Sequence, residues 1–183
     1  MNEWFVNFYI NWTTKAQSIT GLELADVYDK YITYFVIYNN LYNQIPDKLV
    51  ASGVSLPKRI YDVDLATKHV VKYIGGNNIL TTLSNNGLDN EINAIITFIE
   101  NEFFYIKITR QGRQRHEDLR ILDDLKSVNP DLKAIAVLKV IYYVRCNIIH
   151  GHKDFQGFQR ILIEPLTNIL RVLNQILYNR LIL

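Results

Sequence analysis

The chain has 183 residues, with 20 Lys plus Arg against 18 Asp plus Glu and a formal charge of +2. About half of it is apolar and a fifth is charged, a globular composition that excludes intrinsic disorder, collagen-like repeats and a disulfide scaffold. That length predicts one domain, residues 1–183, burying roughly 70% of the unfolded chain's surface. The single Cys146 cannot close an intrachain disulfide, so a reducing, cytoplasmic setting is expected. Met1-Asn2-Glu3-Trp4 lacks the basic region of a signal peptide, and no apolar run approaches the roughly 20 residues of a membrane span. No membrane partner is expected. A charge of +2 is too small to demand a nucleic-acid partner, so that case rests on local charge.

Helical periodicity runs through most of the chain. Trp4, Phe5, Phe8 and Trp12 form a first apolar stripe. Val27, Tyr31, Phe35, Tyr38, Tyr42 and Ile45 form a second, which ends at Pro46. Residues 46–60 carry Pro46, Gly53 and Pro57 and read as a connector. Asp62 is the expected cap of the next helix, which ends at Gly75-Gly76. A short helix reaches Asn85-Asn86-Gly87, and Leu88, Ile92, Ile95, Ile99 and Phe103 mark a longer one. The pattern breaks after Lys107 and resumes as a polar helix over 114–127. Asn129-Pro130-Asp131 starts a helix, with Asn as cap and Pro at the first helical position. A last helical stretch covers Phe158 to Leu181 and is interrupted by Pro165. No strand is required, so the expected fold class is all-α.

The helix after Asn129 carries the chemical signal. From Ala134 to Ile149 almost every residue is apolar, interrupted by Lys139, Arg145 and Asn147, with His150 at its end. An Arg in such a helix is costly unless it pairs, snorkels or faces a cavity. Histidine is the side chain suited to proton transfer near neutrality, and Gly151 is a suitable residue to follow the helix end. Lys139, Tyr143, Asn147 and His150 share one stripe. Arg145 and His150 stand about 140° apart on an ideal helix. For both to act on one substrate, the helix end must distort or a second chain must complete the site. A two-fold axis is the simpler solution.

Val144-Arg145-Cys146-Asn147-Ile148-Ile149-His150-Gly151-His152-Lys153 resembles the Arg-x4-6-His signature of HEPN domains (higher eukaryotes and prokaryotes nucleotide-binding). It is most similar to a bacterial branch reading V-R-x-N-L-x-H-G-x-K. Residues 34–42, rich in Tyr and Phe, are similar to the aromatic first core helix of that branch. The resemblance is good over about 131–183. It implies a HEPN-like helical bundle with core signature helices over about 88–183 and an N-terminal helical extension, residues 2–46, packed on them. It also implies a homodimer through the helix bearing Arg145 and His150, and metal-independent cleavage of RNA in a toxin–antitoxin or phage-defence system. A cognate antitoxin or defence-system protein is then a further partner, and no cofactor is implied.

Carried over by position, Arg145 is the phosphate-binding Arg and His150 the catalytic His, with Asn147 orienting the His or the ribose. Lys153 and His152 add RNA contacts. Cys146 fills a place where catalytic members commonly carry Asn, Asp or His, which motivates an alternative: a non-catalytic HEPN module binding RNA, nucleotide or a protein partner. A third reading is a structural adaptor in which Arg145 pairs with a buried carboxylate, Glu100 or Glu102.

The stretch Lys107 to His116 carries Arg110, Arg113 and Arg115 with no acid. It is a candidate RNA-phosphate loop, set against a solvated loop balanced by Glu117, Asp118, Asp123 and Asp124. His69 lies in a polar helix with no specific role expected. No P-loop, dinucleotide, H-E-x-x-H or C-x-x-C motif occurs, so those chemistries gain no support.

Overall fold

Asn129 sets the start of the helix that carries Arg145 and His150. Its Oδ1 accepts from the backbone N–H groups of Asp131 at 2.9 Å and Leu132 at 3.3 Å, and Pro130 fills the first turn. This satisfies two of the N–H groups that a helix start leaves open. In the computed structural model, which describes residues 3–150 and 157–183, the chain is helical apart from one two-stranded hairpin. The all-α expectation holds. The packing divides it into two compact units, one from Met1–Leu56 and Phe155–Leu183 and one from Pro57–Asp154.

The first unit contains α1 (Glu3–Ser18), α2 (Leu24–Tyr42) and α3 (Ile45–Ala51). It is completed by the last helix of the chain (Arg160–Ile182), which pairs with α2. The α2 stripe is buried as expected, with Val27, Tyr31, Phe35, Tyr38, Tyr42 and Ile45 all in the core. Against it pack Leu166, Ile169, Leu170, Leu173 and Leu177, and the Asn174 amide donates to the Tyr34 carbonyl at 2.9 Å.

Several expectations are corrected here. Pro46 does not end a helix: it sits in the first turn of α3, where a missing N–H costs nothing. Pro165 does not interrupt the last helix. The carbonyl it would have bonded belongs to Ile161, on the exposed face. In α1 the inward residues are Phe5 and Ala16, and Tyr9 stacks on Tyr178 with ring centroids 3.7 Å apart. Trp4, Phe8 and Trp12 instead form a ring ladder along a neighbouring face.

The second unit begins with α4 (Asp62–Asp64), a π-turn (Leu65–His69) and α5 (Val70–Ile74) in continuous succession. Tyr61, not Asp62, is the cap residue. Next come α6 (Gly76–Asn85) and α7 (Asp89–Glu100). Strands β1 (Ile108–Thr109) and β2 (Gly112–Arg113) then pair antiparallel, Ile108 opposite Arg113 and Thr109 opposite Gly112. Helices α8 (Arg115–Leu125) and α9 (Pro130–Ile149) follow, and the last helix of the chain is α10. The hairpin corrects the strand-free expectation. Gly112, at φ +96°, supplies a conformation that L side chains rarely adopt.

The α7 stripe also ends early. Ile92, Ile95 and Ile99 are buried, but Phe103 is 62% exposed and Phe104 takes the inward place. The reason is Glu102, whose φ of +56° turns the chain. Arg115 fixes that turn: Nη1 donates to the Ile99 carbonyl at 2.9 Å and Nη2 pairs with Glu102 at 3.3 Å.

Candidate functional site

Helix α9 is regular to its end. The His150 N–H donates to the Cys146 carbonyl at 2.9 Å, and His150 closes the helix with φ −86° and ψ 7°. The side chains therefore keep the helical spacing of about 100° per residue. Val137, Val140, Ile141, Val144 and Asn147 fill the core side. The accessible side carries Lys139, Tyr142, Tyr143, Arg145, Cys146, Ile149 and His150. Arg145 and His150 lie about 140° apart on it, with Lys139, Tyr142, Cys146 and Ile149 between them, Tyr143 beyond His150 and the part-buried Ile148 beyond Arg145. Arg145 is half-buried and His150 exposed. Within one chain the helix brings both to the accessible side but not onto one line.

Asn147 keeps its place on the stripe with Tyr143 and His150, but that edge of the helix is covered. It is 1% exposed, and its Nδ2 donates to the Ile106 carbonyl at 2.8 Å. The amide is committed to holding a loop and is not on the surface with His150. The two carboxylates considered for Arg145 are engaged by other cations: Glu100 pairs with Lys126, and Glu102 with Arg115. Arg145 Nη1 lies 3.9 Å from Cys146 Sγ.

Tyrosines border this side of α9. The Tyr142 hydroxyl donates to Asp62 Oδ2 at 2.9 Å. Burial, and then this carboxylate, push its pKa well above the usual tyrosine value. Burial also raises that of Tyr143, against the pull of Lys107, whose Nζ lies 5.3 Å from the ring centroid. Both hydroxyls are therefore neutral near pH 7, and Tyr142 acts as a donor.

The basic residues after α7 fall into distinct roles. Arg110 is exposed at the hairpin tip, and Arg113, also exposed, lays its guanidinium 4.1 Å over the Tyr105 ring. Arg115 is occupied at the end of α7, as described, so its guanidinium is tied into the fold. Lys107 pairs with Glu117 at 3.4 Å. His152 and Lys153 lie outside the described residues. Sequence reasoning missed His69, which is buried on the π-turn. Its Nδ1 finds no hydrogen-bond partner among the described residues. A buried π-turn leaves no compositional trace, so the sequence held no signal for it.

Among the described residues no group of three or more His, Cys, Asp or Glu side chains gathers to hold a metal ion. Among them, too, no helix is long and apolar enough to cross a membrane. No family model, no curated protein and no solved structure matches the chain.

Proposed function

We propose that the chain is a HEPN-like, homodimeric endoribonuclease of a bacterial toxin–antitoxin or phage-defence system, cleaving RNA through its own 2′-OH without a metal. One observation carries the reading. An otherwise core-forming helix carries an Arg and a terminal His on its accessible side, about 140° apart. A second copy laid along that side about a two-fold axis brings the Arg145 of each chain toward the His150 of the other. One imidazole takes the 2′-OH proton as the 2′-oxygen attacks phosphorus. The P–O5′ bond breaks, and the imidazolium of the other copy protonates the leaving oxygen. The Arg145 guanidinium holds phosphate oxygens in its planar fork. Products are a 2′,3′-cyclic phosphate and a 5′-hydroxyl. Arg110 and Arg113 contribute phosphate contacts, and Asn147 acts as a positioning residue through Ile106. A cytoplasmic location and a cognate antitoxin belong to the same reading.

The test is cleavage of a fluorescent single-stranded RNA in EDTA by wild type, Arg145→Ala and His150→Ala at matched folding. The expected result is cleavage by wild type alone, ending in a cyclic phosphate. Equal cleavage by all three overturns the proposal. The burial of Asn147 favours a second reading, a HEPN-like module that binds RNA, nucleotide or a protein without cutting. Tight RNA binding with no cleavage under any metal condition selects it.

A further inference from the structure

The segment from Phe103 to Lys107 alternates in burial. Phe103, Tyr105 and Lys107 face outward, while Phe104 and Ile106 are in the core. The chain bends at Phe103 and Ile106, and the alternation still sets these three side chains on the outer side. The outward line thus reads ring, ring, cation. Phe103 presents a ring 62% exposed, braced edge-on by Phe98 at 6.4 Å between centroids. Tyr105 carries Arg113 on one face. Lys107 lies over Tyr143.

The backbone beneath this line is pinned. The buried Asp118 carboxylate accepts from Ile106 N at 3.1 Å and Lys107 N at 2.9 Å. Asn147 holds the Ile106 carbonyl, and Gln114 N donates to the Lys107 carbonyl at 2.9 Å. At the other end, Glu102 is held at positive φ by Arg115. A backbone in an unfavoured conformation persists when its surroundings hold it, and such positions cluster at functional sites. What this one achieves is to turn a Phe out of the core. Of the cations around the rings, Lys107 is paired with Glu117 and Arg115 with Glu102, whose carboxylate also accepts from the Tyr105 hydroxyl at 3.5 Å, while Arg110 and Arg113 are exposed.

We propose that Phe103, Tyr105 with Arg113, and Lys107 form a base-stacking platform for single-stranded RNA. Two successive unpaired bases stack on the two rings, Arg110 and Arg113 meet the phosphates, and Lys107 closes the outward line. The chemistry is that of sequence-tolerant single-strand binding, in which rings take any base and cations follow the backbone. A duplex has no free base faces to offer and is not a ligand of this surface. The inference rests on the RNA reading above and names the form of RNA that the chain takes.

The test reads binding, not cleavage, so the two readings fail separately. The probe is a fluorescent 2′-O-methyl oligoadenylate of about 12 nucleotides, which cannot be cut through its 2′-oxygen, alongside an abasic strand of equal length. Anisotropy is measured with the full chain as wild type, Phe103→Ala and Phe103→Trp. Phe103→Ala is expected to weaken binding of the oligoadenylate at least about fivefold, the effect of losing one stacked base. Phe103→Trp restores it, and the abasic strand, which loses both stacks, binds wild type more weakly than the intact strand binds Phe103→Ala. No binding by wild type overturns the proposal. So does equal binding of the abasic strand, or unchanged binding by Phe103→Ala. A change in oligomeric state on Phe103→Ala with RNA binding intact overturns it too, and marks the surface as a protein contact.

Discussion

The side-chain amide of Asn147 in α9 donates to the backbone carbonyl of Ile106, 41 residues earlier, across 2.8 Å and out of reach of solvent. One residue of the candidate motif therefore anchors the loop carrying the exposed rings. Asn147→Ala removes the donor and leaves a buried carbonyl unpaired. The expected loss of stability is about 1–3 kcal/mol, read as a lowered urea midpoint. An unchanged midpoint shows that the tie contributes nothing.

Gly76 begins α6 against the start of α9. A Cβ there would stand 2.5 Å from the Pro130 carbonyl oxygen and 2.6 Å from the Asp131 Cα. These are backbone atoms that cannot step aside, and the Gly76 N–H already donates to Asp131 Oδ1 at 2.8 Å. Gly76→Ala should cost about 1–3 kcal/mol by overpacking. Gly53→Ala, at φ +85° with open space around it, pays only the backbone strain of about 1–2 kcal/mol. Thermal melts of the two variants separate steric from conformational cost, because only the first disturbs the α6–α9 contact.

His69 gives the second unit a pH dependence. Burial depresses its pKa, Lys72 and Lys68 add to the effect, and Asp64 opposes it. The folded form then binds fewer protons than the unfolded chain near the ordinary histidine value of about 6.5. The contribution is complete above that value and is lost as pH falls through the depressed folded value. Stability should decline from pH 7 toward pH 5, and His69→Gln should flatten the decline. Identical slopes for the two proteins would remove His69 from the account.

The cap of α9 is testable alone. Asn129→Ala removes the acceptor for the Asp131 and Leu132 N–H groups and should lower stability by about 1 kcal/mol, whereas Asn129→Asp, which keeps an acceptor, should not. Denaturant titration at fixed pH distinguishes them.

Helix α9 was legible because its cap, its Pro and its apolar length all agree. The α2 stripe was legible because every aromatic at helical spacing is buried. The hairpin was not, since strands of two residues are too short to show alternation, and Gly112 was the lone turn signal. Phe103 was misplaced because it continues the α7 spacing perfectly. What ends the helix is Glu102, a residue type with no preference for positive φ, held by an Arg115 whose partners lie 16 and 13 residues away. Asn147 was misassigned for a related reason. Periodicity places it beside His150, but only tertiary packing decides that the Ile106 loop covers that edge. The accessible side of α9 was readable as residues and not as geometry, because a helical wheel does not say where burial begins.

The pairing of α2 with α10 across the whole second unit has a consequence for biosynthesis. The ribosome releases α1 and α2 first, then every residue of the second unit, and only then the stretch of chain that pairs with α2. The second unit is contiguous and can fold as it emerges. The first cannot close until translation has passed α10, so loop closure over a long intervening segment must precede its packing. During that interval the side of α2 that pairs with α10 stands uncovered, a window in which a chaperone or a neighbouring nascent chain competes with the chain's own last helix.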